Sequence, residues 1–441
     1  MFNKIIKLKN HEGFKKYLKN TSWLFLEKIF RIFAEVFVGI WIARYLGPND
    51  FGLLNYAISF TVLFGALSTL GLDGIVIREI INSPKLTDRI LGSAFFLKLT
   101  GSLIALFLLF ISIKYTSNDN FTNLLIFIIA SSLIFKSFNV IDMYFQSKVL
   151  SKYVALSNSF ALILASIIRV FLILNNSSLI SFGYVFVFEA LVMMSGYLYF
   201  YFKMGNSLTS WKFDISLAKE LLKNSWPLML SSIAIILYMK IDQIMIKEMM
   251  NNESVGQYAA AVRLSEAWYF IPVIITASLY PAILNAKKID EFLYYNRLQK
   301  LYDLMVLLGI SVAIITSFYS EFIISLLYGN DYIQAANILT IHIWTGISVA
   351  LGVASGKWIL SENLQIISMI RSVSGAILNI VLNYFFIKIW GIKGAAISTL
   401  ISYLYINNLS LIFFKKTRIC FKQQLKSLNL INSFKRVFIY E

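Results

Sequence analysis

Long apolar runs recur along this chain with only short polar breaks between them. That spacing constrains the fold more than any motif does. A helix needs about 20 apolar residues to cross the hydrocarbon core of a bilayer. Runs of that order include Trp23–Ile42, Ala94–Ile113, Ala155–Leu174, Leu301–Tyr319 and Ile366–Ile387. The chain is 58% hydrophobic and 14% charged, against roughly 45–50% and 25% in a soluble domain. In lipid, backbone polar groups must be bonded within the protein, so the runs read as helices. The alternation of a membrane β-barrel is missing. The expected spans are 22–44, 52–72, 91–113, 122–146, 154–174, 180–202, 219–246, 257–284, 301–319, 334–356, 365–387 and 391–414. This is an all-α polytopic membrane protein with about twelve transmembrane helices. Residues 321–333 are too short to span and are expected at the interface.

The formal net charge is +17, and its placement decides what it means. Lysines and arginines flank the spans, as in cytoplasmic loops, rather than forming a stripe that would track nucleic-acid phosphates. No nucleic-acid partner is expected; anionic membrane lipids are. The N-terminal tail carries Lys4, Lys7, Lys9, Lys15, Lys16 and Lys19, and most even-numbered connections are basic. The tail after the last span adds Lys415, Lys416, Arg418, Lys422, Lys426, Lys435 and Arg436. Both termini are therefore expected in the cytoplasm, which requires an even number of spans. The first apolar run carries Glu27, Lys28, Arg31 and Glu35 and shows no small-residue cleavage site, so it reads as a retained span rather than a signal peptide.

Cys420 is the only cysteine, and the histidines are His11 and His342. Neither a disulfide, a thiolate cluster nor a His-rich zinc site can be built from these, and no metal or cofactor is expected. No stretch is long enough for a soluble catalytic domain, no phosphate-cradling glycine loop is present, and no base–nucleophile pair stands out. The chain does not read as an enzyme.

The two halves resemble each other. Asn20-Thr21-Ser22-Trp23 opens the first span and Asn224-Ser225-Trp226 the seventh; Phe51-Gly52 and Val255-Gly256 follow at nearly equal separations. Six spans per half give both copies the same orientation. The expected domains are two six-helix bundles, 1–210 and 211–441, the second with a basic cytoplasmic tail. A parallel pseudo-two-fold repeat would relate them. Transporters built this way usually bind substrate between their halves and rock to expose it.

At the exit of the first span the sequence reads Ala43-Arg44-Tyr45-Leu46-Gly47-Pro48-Asn49-Asp50-Phe51-Gly52, followed by Asn55-Tyr56-Ala57. This segment resembles the polysaccharide-exporter branch, including Wzx-type O-antigen flippases, of the multidrug/oligosaccharidyl-lipid/polysaccharide exporter superfamily. Gly71-Leu72-Asp73, Arg78-Glu79, Asp242 within Tyr238-Met239-Lys240-Ile241-Asp242, Gly256-x-Tyr258-x-x-Ala261 and Pro281 fit as well. The resemblance implies a MATE-like fold of two helical bundles around a cavity. It implies a substrate made of a short oligosaccharide, an O-antigen or capsule unit, on undecaprenyl pyrophosphate. That substrate would move from the cytoplasmic to the periplasmic leaflet of a bacterial inner membrane, alongside other polysaccharide assembly proteins. A monomer is the expected working unit, since the pathway lies within one chain.

Ionisable residues inside spans are costly and are functional hypotheses by default. Glu27, Arg31 and Glu35 are four apart and share a helix face. The others are Lys98, Lys136, Asp142, Arg169, Glu189, Lys240, Asp242, Arg263, Glu266 and Arg371. A diphosphate-linked sugar needs cations, and arginine's planar fork suits phosphate. Arg31, Arg169, Lys240, Arg263 and Arg371 are therefore the candidate substrate-binding lining. Coupling to an ion gradient needs a carboxylate, for which Asp242, Glu35, Glu189 and Glu266 are the candidates. The competing reading for each is an internal pair, such as Arg31 with Glu27 or Glu35 and Lys240 with Asp242. Gly47-Pro48 makes the turn out of the first helix, and Gly52 lets helices approach closely. Two rival functions stay open: a multidrug/cation antiporter of the same fold, whose cavity should be acidic or neutral, and a membrane-embedded polysaccharide polymerase.

Overall fold

The computed structural model describes residues 12–439, with side chains from Asn20 onward. The expected cytoplasmic lysines Lys4, Lys7 and Lys9, and His11, lie outside the described residues. Among the described residues there are helices and no strand. Helix α1 (Glu12–Thr69) is broken at Gly47, whose φ of 68° and ψ of 172° are not helical; Pro48 follows. A positive φ is open to glycine at little cost, and proline disfavours helix in the residue before it, so this pair interrupts the helix as the sequence suggests.

Among the described residues, ten helical stretches are long and apolar enough to cross a membrane, or eleven when the bent pair Asn330–His342 and Thr345–Ser361 counts as one span. The first stretch, Asn20–Asn82, is 63 residues long, well beyond the ~20 of a single crossing. Dividing it at the Gly47 break brings the eleven to the twelve expected.

Contacts group the chain into two compact units. One takes the chain up to Tyr45 and then Ala57–Ile233; the other takes Leu46–Tyr56 and the chain from Ala234 on. The first unit holds most of α1, α2 (Asp73–Asn82), α3 (Thr87–Ser112), α4 (Asn120–Lys136), α5 (Val140–Ser147), α6 (Ser151–Leu174), α7 (Leu179–Lys203) and the start of α8 (Ile215–Met249). Its core joins Leu72, Val76, Leu91, Ile141, Phe145 and Tyr201. At the entry to α8, Asp214 accepts hydrogen bonds from the Ser216 hydroxyl at 2.7 Å and from the backbone N–H groups of Ser216 and Leu217. Those bonds, the hydroxyl's first, hold its carboxyl below the usual carboxylate range.

The second unit holds the rest of α8, α9 (Asn252–Glu266), α10 (Phe270–Lys287), α11 (Glu291–Phe318), α12 (Ser320–Tyr328), α13 (Ile333–His342), α14 (Thr345–Ser361), α15 (Gln365–Trp390), α16 (Ile392–Asn407), α17 (Arg418–Ser427) and α18 (Leu430–Phe438). The segment of α1 after its break packs on the start of α9 without side chains between them. A Cβ on Gly52 would sit 1.8 Å from the Asn252 carbonyl oxygen, and one on Gly256 would sit 2.0 Å from that of Pro48.

The expected single span 334–356 is instead α13 and α14, bent by 47°. Gly346 at the bend abuts the Trp268 ring, and the Thr345 hydroxyl donates to the His342 carbonyl at 2.6 Å. The bend is thus hydrogen-bonded, and it has no room for a side chain at Gly346.

The basic C-terminal tail is not a loose extension. It folds into α17 and α18 and packs on α11. Asp303 of α11 is 0% exposed. It accepts from the Arg436 guanidinium at 2.6 and 2.8 Å, from the Ser433 hydroxyl at 3.0 Å and from Gln299 at 2.9 Å. The carboxylate raises the Arg436 pKa. Buried beside Tyr302, Cys420 has its thiol pushed up to about 11.

Replacing Gly52 or Gly256 with Val should lower the thermal unfolding midpoint in detergent, at a cost of about 1–3 kcal/mol each; an unchanged midpoint would refute the backbone contact. Arg436→Ala strips a fully buried carboxylate of its cation, a change worth about 3–5 kcal/mol. Limited proteolysis should then cut between α17 and α18, where the parent protein resists.

Candidate functional site

Two polar clusters lie inside the apolar helices, one in each unit. In the first unit, the four-residue spacing of Glu27, Arg31 and Glu35 places all three on one face of α1. Arg31 donates from Nε to Glu27 at 2.9 Å, and its Nη1 lies 3.6 Å from Glu35 and 3.7 Å from Glu189 of α7. Arg169 of α6 donates to the other oxygen of Glu189 at 2.7 Å and lies over the Phe186 ring. Lys136, at the end of α4, is within electrostatic reach of Glu189 and Arg31, and its side chain is exposed.

Three carboxylates thus face three cations. Four of the residues singled out from the sequence (Arg31, Arg169, Glu35 and Glu189) fall into this one network, two from the proposed lining and two from the coupling set. Their mutual pairing is the competing reading raised for Arg31, extended by Glu189. The network is open on one side: Glu35 is 56% exposed, and the Lys136 side chain is exposed too. Lys136 belongs in this cluster, yet it was left out of the candidate lining. The signal was available, since it is a lone lysine within the apolar run 122–146.

In the second unit Asp242 of α8 is 2% exposed. Tyr258 of α9 donates to it at 2.7 Å and the Asn383 amide of α15 at 2.5 Å. The Thr399 hydroxyl of α16 donates as well. Asn379, one turn before Asn383, accepts from it at 3.2 Å. Among the described residues no cation pairs with Asp242, and the expected Lys240 partnership does not form. Lys240 and Arg263 instead lie within electrostatic reach of Glu266, and Arg263 lies over the Phe51 ring at 5.4 Å. His342 is buried and bonds through Nδ1 to the Ser265 hydroxyl at 2.8 Å.

Two amide atoms beside Asp242 have no partner: Asn383 Oδ1 and Asn379 Nδ2. The Asp242 carboxylate, the amide oxygens of Asn379 and Asn383 and the Thr399 hydroxyl gather oxygen atoms, the ligand type that hard cations take, into one buried cluster. Arg371, 5% exposed, is committed elsewhere. It donates to the Ile406 carbonyl and to the Ser410 hydroxyl, tying α15 to the end of α16. No group of three or more His, Cys, Asp or Glu able to hold a metal ion occurs among the described residues.

The family model described as polysaccharide biosynthesis protein matches residues 17–287. The chain belongs to that family. No curated protein matches it in sequence. Among solved structures it is similar to the lipid II flippase MurJ in its inward closed conformation, with a TM-score of 0.70 and 18% identity over 95% of this chain and 92% of that one. It is similar to an inward-facing multidrug resistance MATE transporter of the MOP superfamily, with a TM-score of 0.64 and 14% identity over 90% and 96%. A Vibrio cholerae MATE transporter gives 0.59 and 13% over 94% and 99%. At these identities the likeness is one of fold. It is the fold of a polytopic all-helical membrane protein.

The Glu189 bridge can be measured directly. A double-mutant cycle with Arg169→Gln and Glu189→Gln should give a coupling of about 0.5–3 kcal/mol in unfolding free energy; a coupling of zero would mean that the network does not hold the helices of its unit together.

Proposed function

We propose that this member of the polysaccharide biosynthesis family is a flippase for polyprenyl-pyrophosphate-linked oligosaccharides, O-antigen or capsule repeat units. They would move from the cytoplasmic to the periplasmic leaflet of a bacterial inner membrane by ion-coupled alternating access. The observation that carries this reading is the network of Arg31, Lys136 and Arg169 with Glu27, Glu35 and Glu189 inside apolar helices. A diphosphate offers arginine the same bidentate oxygens as a carboxylate does. It can therefore take over the guanidinium bonds that Glu189 and Glu27 now accept, and Lys136 stands ready as an exposed cation. The family membership and the fold shared with a lipid II flippase support the same reading. The work is translocation, and no bond in the substrate is broken.

Asp242 is the proposed coupling group. A buried carboxylate without a cation must be neutralised by a proton or held by a metal cation, and its oxygen-rich surroundings accommodate either. Glu266, with Lys240 and Arg263 near it, is better placed as a fixed partner. An even number of spans with basic connections on one side would place both termini in the cytoplasm, and one chain holds all the groups invoked.

The test uses proteoliposomes holding the full chain and a polyprenyl-pyrophosphate oligosaccharide, with leaflet exchange read by a membrane-impermeant glycan-modifying enzyme. Protein-dependent exchange should fall at least tenfold in the Arg31→Ala/Arg169→Ala double variant. Asp242→Asn should abolish acceleration by an imposed proton or sodium gradient. No exchange under either gradient, with uptake of organic cations by the same vesicles, would favour the multidrug/cation antiporter. The network's equal number of carboxylates and cations is the feature that keeps that second reading in play.

A further inference from the structure

A second candidate binding site lies on the first unit, between α6 and α7. Their contacts run antiparallel: Ser157 meets Gly196, and Tyr153 meets Phe200 with ring centroids 4.8 Å apart. A Cβ on Gly196 would lie 2.8 Å from the Ser157 side chain, so the helices touch at the floor of a groove. Larger side chains form its walls. The groove encloses about 560 Å³ and is lined mainly by Leu156, Phe160, Leu164, Val192, Tyr199 and Phe200. The eight-residue rise from Leu156 to Leu164 gives it a length of about 12 Å.

One end of the groove is cationic. The Tyr153–Phe200 pairing places Lys152, in the first turn of α6, and Lys203, at the end of α7, at that same end. Both are exposed, and neither has a carboxylate partner among the described residues. The Lys203 ammonium lies over the ring of Tyr199, a groove wall, at 5.6 Å, and Lys152 over Trp23 at 5.7 Å. An apolar channel that ends in two uncompensated cations is complementary to a hydrocarbon chain with an anionic head. The channel is single, so a two-chain phospholipid would leave one chain unaccommodated. Its aromatic walls, Phe160, Tyr199 and Phe200, offer a hydrocarbon chain a large apolar contact area.

We propose that this groove seats the head-proximal isoprenoid units of a polyprenyl phosphate lipid, with the phosphate held by Lys152 and Lys203. The site is separate from the Arg31 network. It rests on the flippase reading only in taking the chain to be that of the carrier lipid.

The test is binding rather than transport. The full chain is placed in phosphatidylcholine nanodiscs doped with undecaprenyl phosphate, and retained lipid is counted by native mass spectrometry. The parent should retain one polyprenyl phosphate. Lys152→Ala/Lys203→Ala should weaken retention at least tenfold, and Ser195→Phe, which fills the groove from its exposed rim, should abolish it. Unfolding midpoints for both variants should match the parent; the lysine pair, exposed and away from the core, serves if the filled variant fails to fold. Retention unchanged in the lysine variant would overturn the proposal, as would equal displacement by phosphatidylglycerol. Loss of glycolipid flipping with polyprenyl phosphate retention intact would sink the transport reading and leave the groove standing. Normal flipping with unchanged retention in the variants would do the reverse.

Discussion

Hydrocarbon cannot solvate a charge, and that one fact organises the polar interior of this protein. Nearly every ionisable side chain drawn into the helices is answered inside its own unit. Arg31 is shared among Glu27, Glu35 and Glu189, with Arg169 closing the set. The buried Lys98 reaches Asp73 at 2.9 Å. Arg371 has no carboxylate at hand and uses the carbonyl of Ile406 and the hydroxyl of Ser410. Breaking any of these would leave a partner in low dielectric, where an unmatched charge costs several kcal/mol. The pairs therefore fix which helix faces meet.

Asp242 departs from that rule. Its neighbours are neutral donors: a phenol, an amide and a hydroxyl. Neutral hydrogen bonds ease a buried carboxylate but do not balance its charge. The group is therefore the place where a proton or cation changes the local energy most. A fully paired residue such as Asp303, gripped by Arg436, has no comparable freedom. The first is the group proposed for a coupling cycle; the second holds a terminal helix in place.

How far the sequence revealed this follows from the range of each interaction. Span lengths and the Gly47-Pro48 break are local and could be read directly. So could the need for small residues at Gly52 and Gly256, although not that the two face each other's neighbourhood. Asp242 stood out because a carboxylate in an apolar run is rare. What could not be read were partners set by helix rotation. Glu189 finds Arg169 across a turn of chain, Arg371 finds a helix end 35 residues on, and Asp303 finds Arg436 at a separation of 133. The packing of the basic tail was out of reach for the same reason: the buried acid that recruits Arg436 lies in a different helix. The bend between α13 and α14 likewise sits against the Trp268 ring, a contact far along the chain that no local propensity encodes.

The neutrality of the Arg31 network bears on how a flippase could work at all. A lining of bare cations would hold a diphosphate tightly, and a substrate held tightly at one leaflet is not released at the other. Here each guanidinium already has a carboxylate, so the proposed diphosphate would gain only the difference between its own bonds and those it displaces. That difference is smaller than the full charge-assisted bond. The displaced carboxylates remain nearby to reclaim the arginines on release. Exchange between matched anions, rather than capture by free cations, gives a site that can both take up and let go of a charged lipid. The proposed exchange also fits the placing of Arg31 between Glu27 and Glu35 on one face of α1.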